Sequence, residues 1–127
     1  KAHCCGGHMT QISEATALEL IRRLLKNAAD YEADCIVTLC PMCQLNLDAY
    51  QKNVNNHFGT DYRIPVLYFT QLIGLALGIS TKELGFGKEL VDARQTLAKI
   101  DAEPPKQPKK KRASKGALPM PSMPEEG

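Results

Sequence analysis

Apolar positions along the chain change period several times, and each change predicts an element. After an opening Cys4-Cys5-Gly6-Gly7-His8, two adjacent glycines predict a loop, since glycine pairs rarely continue a helix or strand. From about Ser13 to Tyr31 the apolar residues Leu18, Ile21, Leu25 and Ala28 recur on one face of a 3.6-residue period, with Glu14, Arg22, Arg23, Lys26 and Asp30 between them. That pattern predicts an amphipathic helix, with Thr10 or Ser13 available to cap its start. Cys35-Ile36-Val37-Thr38-Leu39 is short, apolar and β-branched and follows a helix, so it reads as a buried strand of a parallel sheet.

Cys40-Pro41-Met42-Cys43 ends that strand and opens a second helix, because proline suits a first helical turn where its missing N–H costs nothing. Leu47, Tyr50, Val54 and Phe58 mark one side of this helix, which runs to about His57 and stops at Gly59. Ile64 to Tyr68 predicts a second strand. Phe69 to Leu77 predicts a short apolar helix ended by Gly78, and Lys88 to Ile100 a last one. The order predicts an α/β fold: a small layered domain of short parallel strands flanked by helices.

Composition changes at Asp101. Six of the eight prolines lie beyond it, with the run Lys109-Lys110-Lys111-Arg112. Residues 1–100 therefore read as the domain, and residues 101–127 as a disordered Pro/Lys-rich tail that cannot bury a core. The overall charge of +2 comes from that tail, because residues 1–100 hold ten Lys/Arg against ten Asp/Glu. The folded part gives no electrostatic argument for nucleic acid, and a basic tail of this kind is most simply a solvated one. No apolar run approaches the roughly 18 to 20 residues needed to span a bilayer. The chain opens on Lys1-Ala2-His3 without an initiator Met and meets its densest motif at once, so an upstream part is expected.

The five cysteines carry the candidate chemistry. They are bunched as CC and CxxC in a chain with no visible secretory signal, a pattern of metal or redox chemistry in a reducing cytoplasm rather than of disulfide stapling. One helix and one strand separate Cys4 and Cys5 from Cys40 and Cys43. If the helix packs back on its strand, both pairs meet at the carboxyl end of the sheet, where open α/β sheets place their sites. Cys43 falls in a first helical turn, whose free N–H groups favour thiolate and an anionic metal group. Gly6 and Gly7 would let the backbone approach a bulky inorganic core. Four thiolates also make a good zinc cage, and spacing alone does not separate zinc from iron. A thioredoxin-like CxxC would leave Cys4 and Cys5 unexplained. Cys35 lies an odd number of positions before Cys40, on the opposite strand face, and reads as a small buried hydrophobe. His3 and His8 flank the CC pair and are catalytic candidates by position only.

Cys4-Cys5-Gly6 followed at this spacing by Cys40-Pro41-Met42-Cys43 resembles the cysteine-rich CCG domain, which occurs in the B subunit of heterodisulfide reductase and in iron–sulfur subunits of glycolate, lactate and glycerol-3-phosphate systems. The strings His3 to Thr10, Thr38 to Asp48 and Ile64 to Gln71 look most like the B subunit of bacterial heterodisulfide reductases. The resemblance covers about residues 1 to 100. It implies a noncubane [4Fe-4S] cluster with Cys4, Cys5, Cys40 and Cys43 as four of five ligands, the fifth lying upstream. It also implies reductive cleavage of a disulfide, CoM-S-S-CoB or a bacterial equivalent, in a cytoplasmic heterodisulfide reductase-like complex. The partners it implies there are an A subunit, bearing flavin and iron–sulfur clusters, and a ferredoxin-like C subunit. The alternatives are an electron-relay component of a dehydrogenase system and a zinc-stabilised docking domain.

Overall fold

The structure, a computed structural model, describes residues 3–101. Its elements are α1 (Met9–Ile12), α2 (Glu14–Asp30), β1 (Ile36–Thr38), α3 (Pro41–Ala49), α4 (Gln51–Phe58), β2 (Val66–Tyr68), α5 (Phe69–Ala76) and α6 (Arg94–Asp101). The two strands pair in parallel, with Ile36 opposite Val66 and Thr38 opposite Tyr68. Helices α3 and α5 each touch both strands, and α2 packs on α3 and α4. This is the α/β arrangement the sequence predicts. The expected tail lies outside the described residues apart from Asp101, which closes α6.

The core forms where α2 meets α3, α4 and the sheet. Leu18, Ile21 and Leu25 from α2 close on Leu47, Val54 and Val66, and Cys5 is a member of the same buried cluster. Arg22 of α2 lies over the Phe58 ring at 5.0 Å, an added tie between α2 and α4. Buried amides replace backbone pairing where the chain is irregular. Gln51 Nε2 donates to Ile64 C=O at 2.7 Å, and its Oε1 accepts from Ile64 N–H at 3.0 Å. Asn55 does the same for Tyr62, through bonds of 2.9 and 2.8 Å. The lead-in to β2 is thereby fixed by α4, since buried polar backbone must find partners.

Four expectations are corrected. The helix expected from Pro41 to His57 is two helices broken at Tyr50. Its buried positions, Asn46, Leu47, Gln51 and Val54, keep helical spacing across the break, so periodicity cannot reveal it. The last helix begins at Arg94 instead of Lys88. Before it, Asp48 accepts from the N–H groups of Leu90 and Val91 across more than 40 positions, and Asp92 accepts locally from Arg94 N–H, bonds that compete with helix. Strand β1 is not wholly buried: Val37 is 43% exposed while its neighbour Thr38 is buried. A short α1 precedes the predicted first helix, started by Met9 N–H donating to Gly6 C=O at 2.7 Å.

Candidate metal centre

The CC loop and the start of α3 carry the candidate sulfurs, and the fold brings one sulfur of each into contact. Cys5 Sγ lies 3.2 Å from Cys43 Sγ, across 38 positions of sequence. Cys5 is buried at 2% exposure and Cys43 is half-buried, while Cys4 and Cys40 are exposed. The site therefore has an inner pair within the core and an outer pair facing solvent.

Cys40 is the N-cap of α3, in extended geometry, with Pro41 as the first helical residue. It stands just past the carboxyl end of β1. There Tyr68, the last residue of β2, donates its hydroxyl to Leu39 C=O at 2.9 Å and ties the two strand ends together. The N–H groups of Cys43 and Met42 hold the Cys40 thiol below its ordinary value of 9.0 by bonding the thiolate. Cys43 goes the other way: its hydrogen bond to Cys5, followed by burial, pushes its thiol up to about 12. Neighbouring thiols three residues apart thus hold their protons very differently.

The CC loop is shaped by Gly6, at φ +89°, a conformation side chains rarely adopt. A Cβ there would also come within 3.2 Å of Leu20 Cδ1. This glycine is required by the turn and by packing on α2. On the same loop, Gly6 N–H points at Cys4 Sγ at 3.4 Å.

Asn46 is the residue that sequence reasoning missed. It is buried at 2%, and its Nδ2 donates to Gly7 C=O at 2.8 Å and lies 3.9 Å from Cys5 Sγ. It joins α3 to the CC loop. Its signal was a polar residue three positions after Cys43, on the face that also buries Leu47. Thr38, two positions before Cys40, is 7% exposed, and its Oγ1 has no hydrogen-bond partner. Cys35 is half-buried, its thiol raised by burial and then by Asp34. His3 and His8 are exposed beside the CC loop. Among the described residues no three His, Cys, Asp or Glu side chains converge as a single metal ion would require. Beside the start of α3 lies a hollow of about 240 Å³ whose lining includes Pro41, Gln44, Gln71 and Lys88.

Comparison with known proteins gives first a class: residues 1–48 match the cysteine-rich CCG domain. The chain is 44% identical over 102 residues to the B subunit of the ferredoxin/F(420)H(2)-dependent CoB-CoM heterodisulfide reductase of Methanosarcina acetivorans, covering 79% of this chain and 34% of that one. To the B subunit of the ferredoxin:CoB-CoM heterodisulfide reductase of Methanosarcina mazei it is 43% identical over 102 residues, with the same coverage of 79% and 34%. It is also 42% identical over 93 residues to the 8-methylmenaquinol:fumarate reductase membrane anchor subunit of Wolinella succinogenes, covering 73% and 33%. The chain carries a cysteine-rich CCG domain and is, over most of its length, a sequence like the B subunit of heterodisulfide reductase. It spans about a third of the length of these curated relatives. Among the described residues no helix is long and apolar enough to cross a membrane.

Proposed function

We propose that Cys4, Cys5, Cys40 and Cys43 hold an iron–sulfur cluster, of the noncubane [4Fe-4S] kind, in a domain spanning residues 1–100, and that the domain serves reductive cleavage of a disulfide. The observation that carries this reading is the contact between Cys5 and Cys43, one sulfur from each motif, at 3.2 Å. The donor set fits such a group. Four thiols are soft ligands suited to iron–sulfur chemistry. Two of them lie on the solvent side, and the α3 N–H groups already favour thiolate at Cys40. The unpartnered Thr38 hydroxyl is a donor left over two positions from Cys40.

When bound, such a cluster supplies one-electron transfer to a sulfur of the disulfide. The chain's own residues do the rest. Cys5 and Cys43 anchor the inner side against the core, Asn46 fixes the CC loop on α3, and exposed Cys4 and Cys40 frame the side a substrate approaches. Each thiol must lose its proton to bind iron, so loading releases protons. The whole protein would work in the cytoplasm, with further ligation from an upstream cysteine. Its electrons would come from a flavin- and iron–sulfur-bearing A subunit by way of a ferredoxin-like C subunit.

A second reading keeps the cluster and changes its task to electron relay. Its support is the likeness to a fumarate reductase anchor subunit, a protein named for a quinol and for fumarate and not for a disulfide. The test of the cluster itself is anaerobic reconstitution, with iron and sulfide, of the full-length protein that includes the upstream cysteine. Bound iron and sulfide with a visible absorption band bleached by dithionite are expected, and Cys40→Ser or Cys43→Ser should lose most of the band. Colourless protein that binds zinc alone would overturn the reading in favour of a zinc-stabilised docking domain.

A further inference from the structure

We infer that Cys5 and Cys43 form a redox pair in the metal-free chain, closing into a disulfide in preference to the Cys40–Cys43 pair of the CxxC. Their sulfurs are already in contact at 3.2 Å, with a bond length of about 2.05 Å to reach. The give needed lies in the CC loop. Gly6 and Gly7, both at positive φ, follow Cys5 directly, whereas Cys43 is fixed within the nine-residue helix α3. Competing pairings are less well placed. A disulfide between the adjacent Cys4 and Cys5 would need a distorted peptide unit between them. Cys40 is the N-cap of α3, on the solvent side of the site.

The oxidant is a low-molecular-weight disulfide, R–S–S–R. Exchange begins at exposed Cys40: its S–H bond and the oxidant's S–S bond break, a Cys40–S–S–R bond forms and one R–SH is released. Cys43 Sγ displaces the second R–SH, and Cys5 Sγ, in contact with Cys43, then displaces Cys40, which leaves as the free thiol with the proton from Cys5; direct entry at Cys43 reaches the same product more slowly. The two protein thiols are oxidised, the external disulfide is reduced to two thiols, and an added dithiol reverses the step. Burial of Cys5 means that only a partner inside the protein completes the exchange.

A closed pair would withhold two sulfurs from metal. That consequence, unlike the disulfide itself, rests on the ligand assignment proposed above. Oxidation would then be a reversible lock on the empty site.

The test is disulfide mapping of the metal-free, fully reduced chain after exposure to oxidised glutathione. Trypsin separates Cys5, in the peptide 2–22, from Cys43, in the peptide 27–52. The expected product links these two peptides through Cys5 and Cys43, in roughly tenfold excess over Cys40–Cys43, as proximity favours it. The linkage should persist in Cys4→Ser, Cys40→Ser and Cys35→Ser and vanish in Cys43→Ser, with circular dichroism reporting the fold of each. The preference should disappear in concentrated urea. A dominant Cys40–Cys43 bridge, no bridge in folded chain, or the same preference in urea would overturn the inference. Iron uptake measured in parallel separates the two proposals. A disulfide that leaves iron uptake unchanged removes the ligand assignment and keeps the pair; iron loading without any disulfide does the reverse.

Discussion

Cys40 and Cys43 sit three residues apart and should react very differently. The Cys40 thiol is lowered by helix N–H groups and exposed, while that of Cys43 is pushed up to about 12 by Cys5 and by burial. In metal-free chain at pH 8, iodoacetamide should label Cys40 at least about tenfold faster than Cys43, read by mass spectrometry of the 27–52 peptide. The same shift has a stability sign. Cys43 holds its proton more firmly folded than unfolded, so its contribution is complete below about 9 and is lost as pH rises from there toward 12. The difference in urea midpoint between wild type and Cys43→Ser should move against the wild type as pH rises from 9 to 11. At Asn46, substitution by Ala leaves the Gly7 carbonyl without its 2.8 Å donor. A loss of about 1–3 kcal/mol in urea unfolding is expected.

At the scale of elements, start and stop signals were legible where a residue type forces a backbone conformation. Gly59 ends α4 at φ +65°, as its position after the periodic run predicts, and Pro41 opens α3. Ser13 is the N-cap of α2, although its hydroxyl meets Thr16 Oγ1 at 2.9 Å and caps no backbone group. A Cβ on Gly59 would meet nothing within 4 Å, so Gly59→Ala isolates the backbone cost. It should lower stability by about 1–2 kcal/mol in denaturant titrations. The break at Tyr50 was illegible because neither glycine nor proline marks it and the buried spacing runs through it. The late start of α6 was illegible for another reason: it depends on Asp48, more than 40 positions away, holding Leu90 and Val91.

Across the whole molecule, the order of helices and strands and the parallel pairing followed from the changes of period, and the meeting of the CC loop with the CxxC followed from that order. The contact comes about with α2 packed on α3 and α4, so the predicted proximity has a route that strand-and-helix reasoning alone did not supply. Asn46 and Gln51 escaped notice because polar residues on an inner face are recognised only by what they bond to. The core reaches the site itself, since Cys5 packs with Ile21, Leu25 and Val66. Ile21→Val, at a fully buried position, should cost about 0.5–1.5 kcal/mol by urea unfolding. Closing Cys5 to Cys43 bridges 38 positions and should raise unfolding stability by about 4 kcal/mol relative to the reduced chain, read by the same titration.

Having a ligand-type sulfur inside an oily interior sets a tempo as well as a place. At 2% exposure, Cys5 is out of reach of anything arriving from water until the strip of chain bearing it lifts away from α3. Lifting costs the Asn46 clasp and one apolar seat, an excursion far smaller than unravelling the domain. The speed at which Cys5 is engaged, by an iron source or any other reagent, should therefore climb with supply only at first. It then levels off at a ceiling set by how often the clasp breathes open.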